Sequence, residues 1–72
     1  MKSNQELTIV KVFHNGETKA QFEGRLAKEQ AMGFILKNQP MSISWALRNE
    51  GWLVQEFNEK GNFYWSEKNY GI

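Results

Sequence analysis

Few residues in this chain have the types and spacing that chemistry needs. His14 is the single histidine, and Glu17 stands three residues on, across Asn15-Gly16. An Asn-Gly hairpin turn would set the two opposite one another, as a base and the carboxylate that orients it. No nucleophile or pocket accompanies them, so the expected arrangement is a solvated hairpin tip. Glu56 and Glu67 form the other candidate acid–base pair, and the strand register derived below puts them on opposite faces. The absences are firmer. There is no cysteine, hence no disulfide framework, no thiolate and no cysteine-based metal site. All eight acids are glutamates, which excludes EF-hand loops and aspartate-dependent triads. The six glycines stand singly, so neither a dinucleotide-binding nor a P-loop pattern can be written. The expectation is a non-enzymatic protein with no catalytic residue, no metal and no cofactor.

The elements that position the remaining candidates are readable from pattern. Residues 6–13 (ELTIVKVF) and 17–23 (ETKAQFE) are runs of strand formers joined by Asn15-Gly16. A regular register from that turn pairs His14 with Glu17, Phe13 with Thr18, Lys11 with Ala20 and Ile9 with Phe22. Leu7, Ile9, Phe13, Ala20 and Phe22 then share a face around Lys11, and this is the expected core face. Residues 25–38 read as a helix whose apolar positions cover an arc of about 200°, wider than packing on one sheet requires. Pro40 stops it. Residues 42–50 read as a short second helix, capped by Ser42 and ended by Gly51. A second hairpin follows, 52–57 and 62–67, through a three-residue loop Glu59-Lys60-Gly61 that pairs Phe57 with Phe63 and Gln55 with Trp65. Leu53, Phe57, Phe63 and Trp65 then face the core.

The element order is ββααββ and the fold class α+β. The expected architecture is a single domain over 1–72, with two hairpins on a central helix, similar in outline to a β-grasp. Residues 1–5 and 68–72 are expected to be loose ends. The expected core is Leu7, Ile9, Phe13, Phe22, Ala31, Phe34, Ile35, Leu47, Leu53, Phe57, Phe63 and Trp65. That leaves Val10, Val12, Trp52, Val54 and Tyr64 on the far face, an apolar stripe of the composition found at interface centres. These five are the expected partner-binding residues. The function they imply is a small regulatory or inhibitory module that binds a protein, a second copy of itself included, through a sheet face or an edge strand. A compact, cysteine-free chain rich in lysine and asparagine suits an accessory protein of a phage or mobile element, acting in a cytoplasm. The start, MKSNQELT, carries no apolar run, and nothing approaches the roughly 18 apolar residues of a membrane span. No membrane contact is expected.

The alternative is nucleic acid. Two helices followed by a hairpin, over residues 25–67, resemble the carboxy-terminal part of a winged helix. That resemblance implies helix 42–50 in a DNA groove, with Arg48 and Asn49 as its readers and Lys60 on the wing (58–62) touching the backbone. The charge weighs against it: nine Lys and Arg balance eight acids, a net of +1, with no basic stripe.

Overall fold

The computed structural model describes residues 8–39 and 41–70. Leu7, Pro40 and the two extreme ends, 1–5 and 71–72, lie outside them, with the roles expected of each. The elements follow as β1 (Ile9–His14), β2 (Glu17–Glu23), α1 (Ala27–Asn38), α2 (Ile43–Asn49), β3 (Trp52–Asn58) and β4 (Gly61–Tyr64). The strands form one sheet in the order β2-β1-β3-β4, antiparallel at every pairing. Both helices lie against one face of it. This is a small α+β architecture of two layers.

The first hairpin turns at Asn15-Gly16, both with positive φ (53° and 86°), as a tight primed turn needs. His14 faces Glu17 and Phe13 faces Thr18, but the register then shifts. Lys19 is the extra residue of a β-bulge, so Val12 faces Ala20 and Val10 faces Phe22. The bulge brings Ala20 and Phe22 round to the side of the two valines. The core face is therefore the reverse of the expected one. Val10 and Val12 are fully buried against the helices, together with Val54, which faces Val12 from β3. Each such aliphatic side chain contributes roughly 1.5–3 kcal/mol by leaving water. Ile9, Lys11 and Phe13 point the other way.

The helices fit this surface by being thin where they touch it. Ala27, Ala31 and Ile35, four apart on one stripe of α1, are buried, as are Ile43 and Ala46 of α2. The rest of the wide apolar arc is used sideways: Phe34 meets Phe22 and Trp52 edge-on, with ring centroids 6.1 and 6.3 Å away. The first helix begins at Ala27 rather than Arg25, because Gly24 (φ 105°) turns the chain there and its carbonyl accepts from Ala27 N–H. In α2 the Ser42 hydroxyl accepts from Trp45 N–H at 3.1 Å, and Gly51 (φ 79°) closes the other end.

The second hairpin is one residue tighter than expected. Asn58 pairs with Gly61 across Glu59-Lys60, so Phe57 faces Asn62, Glu56 faces Phe63 and Gln55 faces Tyr64. Asn58 Oδ1 accepts from Lys60 N–H at 2.7 Å, the side chain bracing its own turn. Shortening the loop moves Tyr64 to the uncovered face and keeps Trp65, 4% exposed, in the core. After it the chain turns back toward α2 as far as Tyr70. There the phenol lies 2.5 Å from Ser44 Oγ, and its ring tilts against Trp65.

One further contact ties the two halves together. Asn15 N–H donates to Gly51 O at 2.9 Å, and His14 Nε2–H donates to Glu50 O at 3.0 Å. The His14 ring stacks on Trp52 at 4.3 Å between centroids. The tip of the first hairpin is thus clamped to the turn between α2 and β3.

Candidate functional site

The uncovered sheet face is built by strand alternation alone. Residues directly opposite one another share a face, so Lys11, Gln55 and Tyr64 make one row across β1, β3 and β4. Ile9, Phe57 and Asn62 make the next, and Phe13 and Leu53 the one on the other side. Leu53 is 45% and Tyr64 55% exposed. Ile9, Phe13 and Phe57 are half-buried by their neighbours on the sheet. Lys11 sits among them, its ammonium 5.6 Å from the centre of the Phe57 ring. A cation over an aromatic face keeps its stem on the apolar surface and its charge available. Gln55 donates to Asn62 Oδ1 and to the Tyr64 phenol, both at 3.2 Å, which fixes the polar side of the patch.

Of the five residues expected at a contact surface, this arrangement exposes one. Val10, Val12, Val54 and Trp52 are core residues, the first three at zero exposure and Trp52 at 6%. Only Tyr64 faces outward, and it does so on the side opposite to them. The residues that sequence reasoning missed are Ile9, Phe13, Leu53 and Phe57, all four assigned to the core because β1 and β3 carry apolar side chains on both faces. The signal that separates the faces is Lys11, which has no place under a helix.

Glu56 is the other missed residue. It lies on the core side of β3 at 1% exposure. Trp65 Nε1–H donates to its Oε1 at 3.1 Å and Asn58 Nδ2–H to its Oε2 at 2.8 Å, with Lys28 Nζ at 3.9 Å. The carboxylate is a satisfied structural acceptor. His14 and Glu17 face one another as expected, yet His14 is engaged by Trp52 and Glu50 O, while Glu17 pairs with Lys19 at 3.1 Å. Among the described residues no group of three or more His, Cys, Asp or Glu side chains could hold a metal ion, and no helix is long and apolar enough to cross a membrane.

The DNA candidates are dispersed. Arg48 on α2 is paired with Glu67 at 3.2 Å, beside an open groove of about 360 Å³ that Trp45 and Lys68 also line. Asn49 is exposed on the same helix, and Lys60 is exposed at the distant tip of the second hairpin. The Arg48–Glu67 pair is exposed and weak, and Arg48, Asn49 and Lys60 gather into no common basic patch. Comparison with known protein families, with curated proteins and with solved structures finds no match for this chain.

Proposed function

We propose that the chain is a small protein-binding module, a regulatory or inhibitory accessory protein without enzymatic activity, and that its contact surface is the uncovered sheet face. A sheet with both helices on one side leaves the other side free for a partner. The observation that carries the reading is the exposure of Leu53 and Tyr64 beside Ile9, Phe13 and Phe57, on a face that neither described helix covers. Aromatic and aliphatic anchors around one cation, with glutamine and asparagine at the rim, are the composition of an interface centre.

The test is a binding measurement on a partner recovered with the tagged chain and then purified. Tyr64→Ala and Leu53→Ala are expected to weaken binding about tenfold or more, since buried aromatic anchors carry most of such interfaces. Arg48→Ala and Lys60→Ala are expected to leave it unchanged. If the Arg48 and Lys60 variants lose a salt-sensitive affinity for duplex DNA while the face variants bind normally, the module is a nucleic-acid binder instead.

A further inference from the structure

Asn15 and Gly16 make the turn of the first hairpin, and they also hold two atoms that can react with each other. The side-chain amide carbon of Asn15 is an electrophile, and the backbone nitrogen of Gly16 can close a succinimide ring on it. Of the asparagines in the chain, Asn15 alone precedes a glycine. The others precede glutamine, glutamate, phenylalanine or tyrosine, whose Cβ hinders the attacking nitrogen. Asn15 and Gly16 are both exposed, and a Cβ at Gly16 would meet nothing within 4 Å, so that approach is open. A two-residue turn closes its hydrogen bonds between the flanking pair, here His14 and Glu17, which leaves Gly16 N–H outside the ladder.

The clamp on the hairpin tip opposes this reaction. Asn15 N–H donates to Gly51 O at 2.9 Å. Its side chain lies against Gly51, where a Cβ would stand 3.3 Å from Asn15 Cγ. The Asn15 amide makes no hydrogen bond among the described residues, so packing on that turn is what holds it. His14 beside it is bound to Trp52 and to Glu50 O. A succinimide fixes ψ of its residue at a value foreign to the primed turn that Asn15 occupies with φ 53°. The tip must leave its turn before the ring can close.

We infer that Asn15 is a modification site gated by this clamp, converting to aspartate and isoaspartate through a succinimide when the hairpin tip opens. The bond from Gly16 N to Asn15 Cγ forms as the N–H proton passes to a solvent base. The side-chain nitrogen takes a proton from water and leaves as ammonia. Water then adds to one carbonyl of the ring. Breaking the N–Cγ bond leaves aspartate; breaking the bond from N to the main-chain carbon leaves isoaspartate, with the chain running through Cγ. Both products oppose reclosing. Isoaspartate lengthens by one carbon a loop whose length sets the register. Either product adds a carboxylate where Glu17 and Glu50 already flank the tip, and like charges repel.

Peptide mapping by mass spectrometry on the full chain, held in warm, mildly alkaline buffer, tests this. Conversion is expected severalfold faster at Asn15 than at Asn38, Asn49, Asn58, Asn62 or Asn69. His14→Ala removes the stacking and the bond to Glu50 O without altering Asn15 or Gly16. It is expected to speed conversion severalfold by populating the open tip. The parent chain unfolded in urea is expected to convert faster still, and Gly16→Ala to slow the reaction there. A rate at Asn15 no greater than at the other asparagines overturns the inference. So does a rate equal in the folded and the urea-unfolded parent, or one that His14→Ala leaves unchanged, since the clamp would then gate nothing.

Discussion

A carboxylate at 1% exposure is costly unless its oxygens are occupied, and Glu56 has both in use. Glu56→Leu would leave the Trp65 indole and the Asn58 amide without their acceptor, an expected loss of about 2–3 kcal/mol in urea unfolding. Glu56→Gln, which keeps an oxygen for Trp65, should lose clearly less; equal losses would mean that charge, not acceptance, is what matters there. Two glycines differ in the opposite way. A Cβ at Gly33 would meet nothing within 4 Å, so Gly33→Ala is expected to stabilise the chain by about 1 kcal/mol through helix propensity. Gly51 has φ 79°, and a Cβ there would run into Asn15 Oδ1. Gly51→Ala should therefore cost about 2 kcal/mol and loosen the clamp on the first hairpin, visible as faster exchange of the Asn15 amide.

At the scale of elements, the strands and helices were legible and the orientation of the sheet was not. Asn15-Gly16, Ser42 and Gly51 announce their turn and caps because each answers a local backbone requirement. Register depends on what lies across the ladder. Nothing near Lys19 marks it as a bulge, and one such residue carries Ala20 and Phe22 to the other face. In β3 the two faces read Trp52, Val54, Glu56 and Leu53, Gln55, Phe57, each with two apolar residues and one polar. Alternation cannot choose between them; Glu56 is tolerated inside because it accepts from the Trp65 indole and the Asn58 amide. The candidate surface was misplaced for the same reason, since an exposed face is the complement of a core face. Substitution separates the two orientations. Trp52→Ala is expected to cost about 3–5 kcal/mol, whereas Tyr64→Ala should cost no more than about 0.5 kcal/mol. Thermal melts showing the reverse order would place the core on the Tyr64 side.

Over the whole molecule, the balance of charge and the lack of cysteine left hydrophobic packing as the means of stability, and the structure concentrates it in the β1–β3 seam. That seam joins Ile9–His14 to Trp52–Asn58, with the second strand and both helices between them in the chain. The centre of the sheet is therefore its least local pairing. The hairpins and helices can form from neighbours within the chain, but the seam must first bring its two strands together against chain entropy. Stopped-flow refolding should register this: Val54→Ala is expected to slow folding severalfold, while Gly51→Ala, at a contact that closes once the strands have met, should act mainly on unfolding. The clamp at His14 and Asn15 then has a temporal meaning. A clamp that closes after the rest of the seam would act on how long the folded chain stays shut rather than on how fast it forms.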